Sequence, residues 1–362
     1  MLDTLPHEIL RPILGSLDIY TRATMEATCR SLRAVLLTTA FHACIPACIV
    51  NDSFFEFLDW LKARGKQGLI RSALVEAFDF CTAAMVGAAL GHATRLRSLA
   101  VTGSHRHKTG WAVPMALLAA ASDETGPPPI DTLFISSGTG SPVFISRLAP
   151  TLKCIDIRLT DALQANLFFS LSLPHLEFAT IRGQCFVQCY DDHADALAGA
   201  FPALKDLLME NMHFTGRMAV FYSVRSLHSF EIVYCTGVEC VGFPDNLQAS
   251  SVRVVSSAFP AFIDPKSVKT LIVAGMPPGM PALTFPALQR IDAMNVDMSC
   301  VVPATHVPAL TTLTLGGGCR YLPSLIQHAE VVHLEDNGDH GNHHGDHHGD
   351  HGNHHGNHHG GV

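Results

Sequence analysis

A recurring spacing of apolar residues constrains this chain more than any other feature. The pattern is apolar-x-x-apolar-x-apolar, and it is the first thing to read because a fixed period decides the whole architecture. It appears as Leu96-Leu99-Val101, Ile130-Leu133-Ile135, Leu152-Ile155-Ile157 and Leu176-Ala179-Ile181. It continues as Leu204-Leu207-Met209, Leu227-Phe230-Ile232, Ala249-Val252-Val254 and Val268-Leu271-Val273. Leu288-Ile291-Ala293, Leu310-Leu313-Leu315 and Ala329-Val332-Leu334 complete the run, and two fainter copies, Ile45-Cys48-Val50 and Ile70-Ala73-Val75, precede it. Successive third positions fall 19 to 34 residues apart and average about 24. The last two apolar residues of each copy sit two apart, the period of a half-buried strand. Several copies are introduced by proline, as in Ala149-Pro150-Thr151-Leu152, Leu173-Pro174-His175-Leu176, Phe201-Pro202-Ala203-Leu204, Phe285-Pro286-Ala287-Leu288 and Val307-Pro308-Ala309-Leu310. Proline lacks an amide hydrogen and biases the residue before it away from helix, so it closes one connecting segment just ahead of the next strand. A unit with one strand cannot bury its own apolar face, whereas stacked units share a continuous core.

This pattern resembles a leucine-rich-repeat array, covering residues 41–338. The resemblance implies an α/β solenoid with one strand and a helix or turn per unit. It also calls for Asn or Cys three residues after the third apolar position, where Cys235 and Asn337 match. Elsewhere that place holds Ser104, Gly138, Thr160, Gln184, Met212, Ser257, Met276, Val296 and Gly318, so the array is degenerate. The step of 34 residues leaves room for an inserted helix near Ala112–Ala121, ended by Gly126-Pro127-Pro128-Pro129. The other reading of the same pattern is a generic α/β protein with buried parallel strands.

Residues 1–40 have a different character. Leu5-Pro6-His7-Glu8-Ile9-Leu10-Arg11-Pro12-Ile13-Leu14-Gly15-Ser16-Leu17 is followed by Met25, Cys29, Leu32 and Leu36 at helical spacing. Pro6 suits a first helical turn, and Glu8 suits the positive end of the helix dipole. The unit is too small to be stable alone. It resembles an F-box, through Leu5, Pro6, Glu8, the pairs Ile9-Leu10 and Ile13-Leu14, Leu17, and Cys29-Arg30-Ser31-Leu32-Arg33. The resemblance implies that Leu5, Pro6, Ile9, Leu10, Ile13, Leu14 and Leu17 dock on the Skp-type adaptor of an SCF-type (cullin-RING) ubiquitin ligase. The array would then recruit a protein substrate. Two features depart from the family: Pro12 falls mid-helix, a place that costs about 3 kcal/mol, and Thr24 and Thr28 make the second helix polar. The alternative is a leucine-rich scaffold without ligase association, whose N-terminal helices only cap the solenoid.

Composition narrows the function classes. Apolar residues make up 48% of the 362 and charged residues 15%. Five acids, Glu335, Asp336, Asp339, Asp346 and Asp350, lie at the C-terminal end, and setting them aside reduces the net charge of −8 to about −3. No basic stripe is present, so no nucleic-acid partner is expected. The N-terminal apolar run lacks a preceding Lys or Arg and is interrupted by Asp3, His7, Glu8 and Arg11, which does not read as a secretory signal. Phe80–Leu90 and Ala112–Ala121 fall short of the roughly 18 residues of a membrane span, so no membrane association is expected. The eleven cysteines then read as reduced thiols in cytoplasm or nucleus. The pairs Cys44/Cys48 and Cys185/Cys189 read as buried thiols, with zinc as the alternative.

No GxSxG, HExxH or GK[ST] phosphate loop occurs, so enzymatic chemistry and cofactors are not expected. Ser136-Ser137-Gly138-Thr139-Gly140-Ser141 and Gly316-Gly317-Gly318 read as turns between units. Asp191-Asp192-His193-Ala194-Asp195 reads as a solvated turn or a metal site. Between the core positions of the strands, Asp156, Arg158, Arg182, Glu210, Glu231, Arg253 and Asp292 point outward on one face and are the candidate substrate contacts. Their mixed signs favour a specific protein partner. Residues 339–362 carry ten of the 22 histidines among Gly, Asn and Asp, a composition that predicts disorder. His343, His344, His347 and His348 are the weak metal candidates there.

Overall fold

The computed structural model describes residues 41–45, 70–77, 80–103, 112–120, 128–136, 142–183, 186–188, 201–215, 221–238, 243–275, 284–296, 307–319, 326–327 and 329–334. Its strands are β1 (Phe41–Ile45), β2 (Ile70–Ala77), β3 (Ser98–Gly103), β4 (Thr132–Ile135), β5 (Cys154–Leu159), β6 (Phe178–Gly183), β7 (Phe186–Gln188) and β8 (Asp206–Glu210). They continue as β9 (His213–Thr215), β10 (Ser226–Val233), β11 (Gln248–Val255), β12 (Thr270–Ala274), β13 (Arg290–Met294), β14 (Thr312–Leu315) and β15 (Val331–Leu334). The helices are α1 (Phe80–Gly91), α2 (Ala112–Ala120), α3 (Pro142–Leu148) and α4 (Ala162–Phe169).

Thirteen strands form one sheet in chain order, β1-β2-β3-β4-β5-β6-β8-β10-β11-β12-β13-β14-β15, and β7 pairs with β9 in a second, two-stranded sheet. Every pairing is parallel, and from β2 onward the register follows the apolar spacing of the sequence. The second position of each copy forms one row, from Ala73 and Leu99 through Leu133, Ile155, Ala179, Leu207, Phe230, Val252, Leu271, Ile291 and Leu313 to Val332. The third positions form a parallel row two residues on. Apart from the last strand's Val332 and Leu334, both rows are buried, because side chains alternate across a strand and one face of the sheet carries the core.

This architecture overturns the expected fold class. An N-terminal helical F-box followed by an α/β leucine-rich-repeat solenoid is not what the structure shows. It is mostly sheet, with four helices among the described residues, all between 80 and 169. Residues 1–40 and the histidine-rich segment 339–362 lie outside the described residues. Among their described residues the later connections hold little helix: a 3-10 turn at Pro265–Ser267 and two helical residues, Ile326 and Gln327. Prolines account for part of this: Pro260, Pro265 and Pro286 each lack the amide hydrogen that a helix would use in those segments. A second correction concerns the first copy. The strand is Phe41–Ile45, with Ala43 opposite Ala73 and Ile45 opposite Val75, so Cys48 and Val50 do not hold the second and third places. Both stretches are apolar, and only pairing chooses between them.

The proline motifs become tight turns. Leu176, Leu204, Leu288 and Leu310 each donate their N–H to the carbonyl three residues earlier, at 3.2 Å, with proline just after the acceptor. That is the place where proline's fixed φ suits a β-turn. Behind β6 to β13 the core is rich in phenylalanine. Phe221 and Phe243 stack at 4.6 Å between centroids, and Phe243 and Phe262 at 4.4 Å.

Candidate functional site on the open face of the sheet

Opposite the core, each strand turns its alternate residues outward, and the seven predicted contact residues all stand on this face. Asp156 and Arg158 lie on β5, Arg182 on β6, Glu210 on β8, Glu231 on β10, Arg253 on β11 and Asp292 on β13. The structure brings most of them together in pairs. Arg182 Nη1 donates to both oxygens of Asp156, at 2.6 and 2.8 Å, and its Nε donates to Glu210 Oε2 at 3.1 Å. Arg253 Nη1 donates to Glu231 Oε2 at 3.2 Å. Asp292 accepts from Arg290 Nε on its own strand, at 2.9 and 3.1 Å. Arg158 has no ion-pair partner among the described residues.

Two further pairs escaped the sequence reading. His228 Nδ1 lies 3.1 Å from Asp206 Oδ1, and Lys205 pairs with Glu177. Both bind residues about one unit apart in sequence, and the alternation of sign at that period was the signal that could have found them. The paired side chains are partly exposed and screened by solvent, so these pairs order the face more than they stabilise the fold.

Asp156 is the least comfortable of the acids. Burial pushes its carboxyl above the usual value, while Arg182 pulls it down and Glu210 pushes it up again. With the folded value above the unfolded one, its contribution to stability is present at acid pH and lost as the pH rises through the folded value. At neutral pH the Asp156–Arg182–Glu210 chain therefore orients side chains more than it stabilises the fold. Next to it, burial raises the Cys154 thiol, with Asp156 and Asp131 adding to the shift, and burial likewise raises Cys235. Such thiols stay protonated and are poor nucleophiles.

The face is not uniformly charged. Across β2 to β4 the row that later holds Asp156 is occupied by Leu74, Ala100 and Phe134. Leu74 is 37% exposed, and Phe178 on β6 is 44% exposed. These apolar contributors were not singled out from sequence, because an apolar residue between two core positions looks like more core.

At the C-terminal ends of the strands the chain turns inward through left-handed residues. Asn211, Tyr234, Ser256, Gly275 and Asn295 have φ between 47° and 59° and follow β8, β10, β11, β12 and β13 directly. Each donates its N–H to a carbonyl on the adjacent unit, as Tyr234 does to Val255 at 2.9 Å. The next residue is then buried, as with Met212, Cys235, Ser257 and Val296. These are the positions three after the third apolar residue. Gly316-Gly317-Gly318 forms a turn, with Gly317 accepting from the Asn295 N–H.

Leu5, Pro6, Ile9, Leu10, Ile13, Leu14 and Leu17 lie outside the described residues, as do His343, His344, His347 and His348 and the segment Asp191–Asp195. Of the two cysteine pairs, Cys48, Cys185 and Cys189 lie outside them as well. Among the described residues no group of three or more His, Cys, Asp or Glu is placed to hold a metal ion, and no helix is long and apolar enough to cross a membrane. Compared with known proteins, the chain matches no family model and no curated protein.

Proposed function

We propose that this chain is a non-catalytic recognition subunit that holds a protein target on the open face of its parallel sheet. The observation that carries the reading is the face itself. Consecutive parallel strands display side chains at a fixed spacing, with charged residues locked in pairs beside an exposed apolar patch. A rigid array of this kind presents pre-ordered side chains, which lowers the cost of ordering an interface. With the Leu5–Leu17 motif, the reading extends to a substrate-recruiting adaptor of a cullin-RING ubiquitin ligase, the motif docking on a Skp-type adaptor. That extension rests on the sequence motif alone.

A second reading, a scaffold without ligase association, is favoured by Pro12, a residue that helix interiors disfavour, at a place where the F-box pattern calls for helix. One experiment separates them. Purified Skp-type adaptor is used to capture the wild type and a Leu10→Asp, Leu14→Asp double variant, with circular dichroism on both. Capture of the wild type and loss with a folded variant is the expected result. Failure to capture either, with the variant melting at lower temperature, rejects the ligase reading in favour of the scaffold.

A further inference from the structure

Arg71 is exposed on β2 but shares the parity of the buried Ala73 and Val75. Setting it aside, two charged side chains at the outward-alternating positions of β2 to β14 have no ion-pair partner among the described residues: Glu76 on β2 and Arg158 on β5. They stand at the two ends of one line across the sheet. Glu76 is opposite Thr102, and Ser136 donates its N–H to Val101 beside it. Ile135 faces Ile157, which places Arg158 next after Ser136. Three strand spacings separate the two charges, roughly 14 Å. The neighbouring line, two residues back on each strand, holds Leu74, Ala100 and Phe134 and, on β5, Asp156, whose carboxylate is already taken by Arg182. An apolar patch is thus bracketed by one unpaired acid and one unpaired base. Arg182, beyond Arg158, is occupied by Asp156 and Glu210 and does not compete for a new anion.

The chemistry of an occupant follows from this arrangement. A half-buried guanidinium without a counter-charge gains most from a carboxylate, which it can grip in a planar, two-point contact. The acid at the other end repels a polyanion and selects a cation. Exposed Leu74 and the partly exposed Phe134 reward apolar side chains between the two. We propose that this corner of the sheet binds a short extended segment of a protein partner laid across β2 to β5. A Lys or Arg of the segment meets Glu76, apolar side chains cover Leu74 and Phe134, and an Asp or Glu meets Arg158. An extended chain covers 14 Å in about four residues, so the basic and acidic residues of the segment stand about four apart. This rests on the reading of the open face as the target-binding surface and names the class of target segment.

The test is selection from a random-peptide display library on the full chain, repeated on an Arg158→Glu, Glu76→Arg double variant. Circular dichroism checks that both remain folded, which two exposed-face substitutions should allow. The wild type is expected to enrich a motif with a basic residue, apolar residues and then an acidic residue about four positions away. The double variant is expected to enrich the motif with its charges exchanged. A labelled peptide of the wild-type consensus should lose on the order of tenfold in affinity on Arg158→Ala, read by fluorescence anisotropy. No enriched motif, or the same motif on both proteins, overturns the inference. Loss of the motif with adaptor capture intact removes this inference and leaves the ligase reading standing. Loss of adaptor capture with the motif intact does the reverse.

Discussion

Ser257 is the polar side chain that the described core buries most completely, at 3% exposure, and its hydroxyl is fully used. It accepts from the Cys235 N–H at 2.8 Å and donates to the Val255 carbonyl at 3.0 Å. It therefore ties one unit to the next at the inward turn. Ser257→Ala keeps the volume close but leaves the Cys235 amide without an acceptor in an apolar surround. We expect a loss of about 1–3 kcal/mol, seen as a lower urea midpoint with an unchanged slope. The sequence pointed to this position through Cys235 and the count of three after the apolar residue, but not to its partner. Asn211, Gly275 and Asn295 are residue types that accept positive φ, so their turns were legible in principle. Tyr234 and Ser256 are not, and their left-handed conformations follow from the neighbours on either side.

At the scale of elements, the strands from β2 onward were readable because their alternation is short-range and repeated. The proline turns were readable for the same reason, since proline sets its own φ. The helices were harder. α1 (FCTAAMVGAALG) is apolar nearly all round, so no polar stripe marks its facing. Its contact with α2 depends on Gly87, where an added Cβ would lie 2.3 Å from the Val113 carbonyl oxygen and 2.9 Å from Ala116 Cβ. Gly87→Ala would raise intrinsic helix propensity, yet it must push α2 away. We expect net destabilisation of about 1–3 kcal/mol, measured as a fall in the thermal midpoint. A rise would show that the two helices part at little cost. The first strand failed for a related reason. Phe41–Ile45 and Ile45–Val50 are equally apolar, and only the register against β2 distinguishes them.

Across the whole molecule, stability accumulates between neighbours, because each strand touches chiefly the units before and after it. The phenylalanines reach further. Phe243 stacks on Phe221 and on Phe262 and meets the edge of Phe230 at 5.5 Å, so one ring joins several connecting segments. Phe243→Ala should cost about 3–5 kcal/mol. Because the ring bridges units, thermal unfolding should show the whole sheet melting earlier and together. A separate early transition confined to part of the protein would show that the units are held independently. The seven face residues were also visible from alternation, whereas their pairing was not. Asp156 meets Arg182 diagonally and leaves Arg158 alone, although Arg158 is nearer in sequence.

What the sequence determined by itself is the periodic set of inward residues that β2 and the later strands of the large sheet carry. Such information is local: it lies in the identity of residues two and three apart and in prolines that constrain their own backbone. Tertiary structure decided where the first strand lies, which charges of the open face neutralise one another and that Glu76 and Arg158 have no ion-pair partner among the described residues. Those outcomes depend on side chains some twenty to thirty residues apart, brought within a few ångströms by strand pairing, and no local pattern encodes a distance of that kind.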